Sequence, residues 1–324
     1  MTALPDISII DIDSDLVELE PEWWDLWSAC PGAGPFQSPA WLMPWRRHFR
    51  DGDLVVVTLR RSGRLCGLLP LFHYQGPPEP RLLPLGAGNT DYLDGLFAPG
   101  VGPAEVTALL GRLAPWRVLD LPQLAPGSVL ADIAAPAGWT GQGRTEEPCP
   151  ILTLPATLPR RMEQNLRYYH RRAERAGSLR FETAGPGRVA PLLDSLIRLH
   201  GARWTTKGES GVLADATVER FHRDAAPALA SAGLLRLHAI HLDGQVVAVW
   251  YGMQAKGRCC YYLSGFDPDL GELGLGTLIV GHAIQAATSE GASEFDFLRG
   301  TEAYKYRWGA ADRITRGRLL RHEA

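Results

Sequence analysis

The chain has 324 residues, 45% of them hydrophobic, with a formal net charge of −3. That is enough apolar material for two ordinary domains, each with its own core. The near-neutral balance excludes a general electrostatic pull toward DNA or an anionic membrane, so any charged partner must be recognised locally. Five cysteines (Cys30, Cys66, Cys149, Cys259, Cys260) include no C-x-x-C spacing, which argues against a disulfide framework and for a reducing, cytoplasmic setting. The opening MTALPDISIIDIDSDLVELE is acidic where a secretory leader is basic, and no run approaches the roughly 18 apolar residues of a membrane span.

In chain order, the first clear unit is DLVVVTLRRSGRLCGLLPLF from Asp53, two apolar runs around Ser62-Gly63. A dipeptide of this kind favours the positive φ values of a hairpin turn. A third strand (RLLPLGAG), a helix (PAEVTALLGRLA) and a strand (WRVLDL) follow. The segment from Gly141 to Pro155 is rich in turn formers and has no helical period, so a domain join is placed there, with domains at 1–145 and 146–324.

Beyond the join, Met162, Leu166, Tyr169 and Ala173 recur at spacings of four, three and four and predict an amphipathic helix ending at Gly177. Its outer face carries Arg167, Arg171, Arg172 and Arg175. A strand (SLRFETA), a helix over Val189 to Trp204 and a helix over Thr217 to Ser231 come next. Pro227 is expected to kink or break the last of these. LLRLHAIHLDGQVVAVWYGM from Leu234 then repeats the hairpin pattern around Asp243-Gly244, followed again by a strand (CCYYLSGF), a helix (TLIVGHAIQAATSE) and a strand (EFDFL). This long-period repeat predicts duplicated domains with mixed sheets flanked by helices, an α/β (α+β) architecture.

His238 and His241 lie three apart on a strand, on opposite faces, and suggest no metal site. A glycine-punctuated stretch is more informative. Gly271, Gly274 and Gly276 precede Thr277 and an apolar helix, so backbone N–H groups can converge on an anion at the positive end of that helix. Thr277 can cap the helix or offer its hydroxyl. The stretch lacks the Gly-Lys-Ser/Thr ending of a Walker loop, and the strands before it lack the crossover helices of a Rossmann turn.

With LHGARW (Leu199 to Trp204) and FDFLRGTEAYKYRWG (Phe295 to Gly309), the second half resembles the GNAT acyltransferases. In particular it resembles the CelD-like acetyltransferases named for cellulose biosynthesis, relatives of the Fem-type aminoacyltransferases. The resemblance implies acyl transfer from acetyl-CoA or another acyl-CoA to an amine of a small molecule or sugar precursor, without a metal. It assigns the pyrophosphate to the backbone of Leu273, Gly274, Leu275, Gly276 and Thr277, and the pantetheine arm to a gap between strands ending near Phe266 and Leu298. Such loops usually carry Arg or Gln where this chain has Gly271, which removes one side-chain contact.

The same likeness makes Tyr304 or Tyr306 the acid for the leaving thiolate, although either ring can equally pack beside Trp308. Glu302, with Asp296 and Asp267 behind it, is the candidate base or amine-orienting carboxylate, or else a solvated charge. Arg299 and Lys305 are candidates to grip an anion or to make surface pairs. Trp204 can line an acceptor pocket or anchor its helix. The first half has LGAGNTDYLDGLFAPG where a phosphate loop would stand, and Pro99 and Pro103 argue against a second working site there. Two rival functions are aminoacyl transfer from tRNA, which calls for a broader basic surface than one arginine helix, and a non-catalytic role in polysaccharide synthesis.

Overall fold

The computed structural model describes residues 6–185, 187–206 and 208–323. The chain divides into two compact units, Met1–Pro148 with Arg313–Ala324, and Cys149–Asp312.

The first unit contains β1 (Asp6–Ile10), α1 (Asp13–Glu18), α2 (Glu20–Ala29), α3 (Pro39–His48), β2 (Gly52–Arg61), β3 (Arg64–Tyr74), β4 (Arg81–Pro84), β5 (Leu96–Phe97), α4 (Pro103–Gly111), β6 (Val118–Leu124) and α5 (Val129–Asp132). Ser62 and Gly63 take φ of 49° and 79°, the left-handed pair that a two-residue hairpin turn needs. The core is aliphatic, with Val57, Leu59, Leu69, Leu71, Leu109, Leu119 and Leu121 all fully buried.

The second unit takes the end of β7 (Trp139–Thr153), then α6 (Arg160–Ala176), β8 (Leu179–Thr183), α7 (Val189–Thr205), α8 (Ala216–Ser231), β9 (Leu235–Leu242), β10 (Gln245–Ala255), β11 (Arg258–Phe266), α9 (Leu275–Ser289), β12 (Glu294–Asp296) and α10 (Ala303–Tyr306). Asp243-Gly244 closes the expected hairpin, at φ of 50° and 81°. Lys256-Gly257 makes a second such turn, at 47° and 79°, between β10 and β11. β10 is buried along both faces, around Trp250 and Tyr251, as its unbroken apolar run predicts. Met162 and Ala173 of α6 are buried, with Leu166 and Tyr169 partly so, which is the predicted stripe. At the end of α6, Gly177 lies so close to the Asp243 carboxylate that a Cβ there would sit 2.3 Å from it. α8 is one continuous helix through Pro227, without the expected kink or break; the lost bond to the Arg223 carbonyl is offset by the buried inner face of Phe221, Ala225, Ala226 and Leu229.

The repeat is visible in the pairing. The first unit runs β1-β2-β3-β4-β6-β13, where β13 is Ala311–His322, and the second runs β8-β9-β10-β11-β12-β7. In each, the fourth and fifth strands are parallel, Leu82 opposite Leu119 and Cys259 opposite Phe295, joined by a crossover helix. The other described pairs are antiparallel. The terminal strand was expected in the second domain, yet it pairs with β6, Leu320 opposite Leu119, and Leu320 is fully buried in the first core. β7, which follows the first unit's helices in the chain, places Ile151–Thr153 against β12.

After Asp296 the chain leaves the sheet. The Asp296 Oδ1 accepts the Leu298 amide at 2.8 Å, and Leu298 adopts φ of 57°, uncommon for a side chain of this size. Lys305 fixes this turn from beneath: Nζ donates to the carbonyls of Leu298, Arg299 and Gly300 at 3.0, 2.6 and 3.2 Å, with Glu302 Oε2 at 2.9 Å. Buried to 2% exposure, the ammonium satisfies three carbonyls that would otherwise be stranded.

Lys305→Met is expected to lower stability in urea unfolding by about 3 kcal/mol, the scale of removing one partner from a buried charged network. Glu302→Gln, at an exposed carboxylate, should change it little. A chain ended at Pro148 lacks β13 and leaves β6 an open edge beside a core without Leu320; it is expected to aggregate, as read by size exclusion. A soluble, cooperatively unfolding 1–148 fragment would contradict that role for β13.

Candidate active site

β11 and β12 pair only from Arg258 to Cys260 against Glu294 to Asp296. β11 then continues to Phe266 while β12 ends and turns away, so the β12-facing edge of β11 from Tyr261 on has no strand partner. A cavity of about 350 Å³ opens here, lined among others by Tyr261, Ser264, Phe266 and Tyr304. Of the two strand ends expected to flank a gap, Phe266 lines this cavity, whereas β12 ends at Asp296 and Leu298 is not among the lining residues.

The glycine segment forms one wall. A 3-10 turn over Pro268–Leu273 passes through Gly274, at φ 64° and ψ 33°, into α9. The Gly274 amide bonds to the Gly271 carbonyl at 3.2 Å, and the Thr277 and Leu278 amides bond to the Gly274 carbonyl at 2.9 and 3.1 Å. Of the predicted set, the Leu275 and Gly276 amides have no acceptor among the described residues and stand at the positive end of a fifteen-residue helix. Gly271, Gly274, Leu275, Gly276 and Thr277 line the cavity, whereas Leu273 turns its side chain into the core. The N-cap is Gly274, so Thr277 does not cap α9. Glycine is required at 274 twice over, by its left-handed φ and because a Cβ would lie 2.4 Å from the Tyr169 ring. At Gly276 a Cβ would meet the Phe266 ring at 3.0 Å.

The two tyrosines separate clearly. Tyr304 lines the cavity, its ring centroid 6.3 Å from that of Tyr261, whose hydroxyl lies 2.5 Å from Ser264 Oγ. Burial, then the neighbouring Tyr261 and the Glu302 carboxylate, push the Tyr304 phenol well above its ordinary range, so it stays protonated. Tyr306 lies outside the lining and donates to Asp312 Oδ1 at 2.8 Å.

The remaining candidates lie off the cavity wall. Asp296 is fully buried and shapes the strand exit, and Lys305 is the clamp beneath it rather than a surface grip. Glu302 is exposed and paired with Lys305. Arg299 gives its carbonyl to that clamp and does not line the cavity. Trp204 Nε1–H donates to His200 Nε2 at 2.9 Å, holding α7 from inside. The sequence reading singled out none of Asn165, Arg203, Tyr261, Ser264 or Arg307, all of which line the cavity. Arg203 lies within LHGARW, Arg307 within FDFLRGTEAYKYRWG, and Tyr261 and Ser264 within the strand CCYYLSGF, but nothing in their spacing marks which of these side chains faces a cavity.

At the equivalent crossover in the first unit, α4 starts with Pro103, which has no N–H, and the Gly102 amide is bound by Glu105 Oε2 at 2.8 Å. The loop before it is occupied internally, Trp41 Nε1–H donating to Thr90 Oγ1 at 2.8 Å and Trp45 Nε1–H to Asn89 Oδ1 at 3.2 Å. Of the first helical positions only the Ala104 amide is left without an acceptor among the described residues, and the Glu105 carboxylate one residue on disfavours a phosphate there.

Among the described residues, no helix is long and apolar enough to cross a membrane, and no cluster of three His, Cys, Asp or Glu could hold a metal ion. No curated protein matches the chain. Solved structures share its fold. FemX is 12% identical with a TM-score of 0.66, over 98% of this chain and 95% of that one. The C-terminal domain of a protein assigned as a lysylphosphatidylglycerol synthetase from Agrobacterium fabrum is 16% identical with a TM-score of 0.62, over 95% and 92%. L-PGS from Bacillus licheniformis is 12% identical with a TM-score of 0.60, over 94% and 91%. Residues 160–306 match the family model described as Acetyltransferase (GNAT) domain. The second unit therefore carries a GNAT-type acetyltransferase domain, and the protein is an acyltransferase.

Proposed function

We propose that the protein transfers an acyl group, most simply acetyl, from an acyl-CoA to an amine of a small molecule or sugar precursor. The observation that carries this reading is one cavity bounded both by the unsatisfied Leu275 and Gly276 amides and by Tyr304. Its volume falls within the range of small-molecule clefts, roughly 300–1,000 Å³. The coenzyme supplies an acyl thioester already activated for attack.

In this reading the Leu273 to Thr277 segment holds the pyrophosphate, chiefly through the Leu275 and Gly276 amides, and the unpaired edge of β11 receives the pantetheine arm and polarises the acyl carbonyl. The acceptor nitrogen forms the C–N bond as the C–S bond breaks, and Tyr304 donates a hydrogen bond to the departing sulfur. No carboxylate lines the cavity, so the ammonium proton leaves to solvent; Glu302 serves as the carboxylate partner of the Lys305 clamp. Asp296, Arg299, Lys305 and Trp204 serve by holding the walls, and Tyr306 by tying the end of α10 to Asp312. A CelD-like assignment and a cytoplasmic location are consistent with this reading.

An aminoacyl-tRNA donor has one observation in its favour: Arg160, Arg161, Arg167, Arg171 and Arg175 are exposed on α6, whose Met162, Asn165 and Tyr169 line the same cavity. A tRNA gel shift at low salt, competed by coenzyme A, separates the two donors.

Calorimetry is expected to show coenzyme A and acetyl-CoA binding in the micromolar range, weakened at least tenfold by Gly276→Val; no binding at millimolar concentration sinks the reading. Tyr304→Phe should lower kcat about 10- to 100-fold with little change in the KM for acyl-CoA, whereas Tyr306→Phe should leave kcat near wild type. With the proton lost directly from the acceptor, kcat/KM should rise with pH up to the amine's own pKa. A pH dependence abolished by Glu302→Gln would instead restore that carboxylate as the base.

A further inference from the structure

The cavity is charged in one sense only. None of its lining residues is Asp or Glu, while Arg203 and Arg307 both face into it. Arg203 is half-buried near the C-terminal end of α7, its guanidinium 4.7 Å from the Phe266 ring centroid, and it makes no ion pair among the described residues. Elsewhere in this unit, Arg188, Arg223, Arg236 and Arg258 are each matched to a carboxylate. Charged groups removed from water are ordinarily paired, so a guanidinium held unpaired against a cavity wall awaits its partner.

Its position is imposed by packing. Gly265 of β11 lets α7 approach so closely that a Cβ would lie 2.5 Å from the His200 amide nitrogen. That contact fixes the last turn of α7 over the end of β11, with Arg203 on Phe266. Phe266 shares the cavity wall with Tyr261, Ser264 and Tyr304 and on its other side lies against Gly276, so Arg203 stands over the lining between the tyrosines and the α9 amides.

We infer that the acceptor is an amine that also carries a carboxylate or phosphate, and that Arg203 is the residue that selects it by seating this anion in the cavity. The inference rests on the proposed acyl-CoA reading and adds the acceptor's class to it. A guanidinium fork matches two oxygens of either anion, whereas a cationic or neutral amine finds no carboxylate here to draw it in.

The test pairs anionic amines with neutral counterparts: free amino acids against their amides, and aminoalkyl or amino-sugar phosphates against the unphosphorylated amines, assayed with acetyl-CoA. At least one anionic member should exceed its neutral partner tenfold or more in kcat/KM. Arg203→Gln should erase that ratio, Arg203→Lys should retain part of it, and the KM for acetyl-CoA should stay within twofold in both. Whether amino acids or phosphates respond identifies the anion. Equal or better use of neutral amines overturns the inference, as does coenzyme binding with no anionic amine turned over. A rise in the acetyl-CoA KM in Arg203→Gln with the ratio intact overturns it too, because the guanidinium would then serve the coenzyme's phosphates. Calorimetry with coenzyme A on each variant reports whether the site has folded, and failure of the wild type to bind it defeats the acyl-CoA reading itself.

Discussion

The site exists because two parallel strands are made to part. Parallel neighbours normally hydrogen-bond along their shared length, and a gap between them strands amides and carbonyls. Here β12 stops at Asp296, whose carboxylate takes the Leu298 amide, and the ammonium of Lys305 satisfies the three carbonyls of the departing turn. A buried lysine is otherwise costly; here it replaces the missing strand partners and keeps the gap open without a liganding group in it. Tyr304 follows directly from this turn, so the clamp that opens the cavity also delivers the phenol to it.

The opposite wall depends on absent side chains. Gly274 can take its left-handed turn against the Tyr169 ring, Gly276 lies beside Phe266, and Gly265 allows α7 to reach β11. The same crossover in the first unit has equivalent topology but a proline and a glutamate at its helix start, so where α9 leaves two amides without an acceptor, α4 leaves only that of Ala104, beside the Glu105 carboxylate. Identical strand order therefore carries two different helix starts, because the local sequence and not the topology sets which amides are left open.

Much of this was legible in local sequence. Asp243-Gly244 and Ser62-Gly63 fix two hairpins through backbone sterics alone, the Met162, Leu166, Tyr169 and Ala173 stripe fixes α6, and the glycines before Thr277 mark the helix start. Each is a property of a few consecutive residues. Lys256-Gly257 carried the same turn signal and went unread because charged and apolar residues mix around it. Tyr304 and Tyr306, by contrast, are equivalent in a linear motif; only the direction of a four-residue helix turns one to the cavity and the other to Asp312.

The sequence by itself determined the duplicated strand–helix pattern, the glycine-lined helix start and the tyrosine segment, because backbone φ preferences and hydrophobic period act over short distances. Tertiary structure alone decided that β13 completes the first unit, that Lys305 faces inward onto three carbonyls and that Arg203 stands unpaired over Phe266. Those outcomes depend on which distant residues share a core, an edge or a cavity wall, and a charge reads the same in a sequence whether it ends in solvent, under a turn or against a binding site.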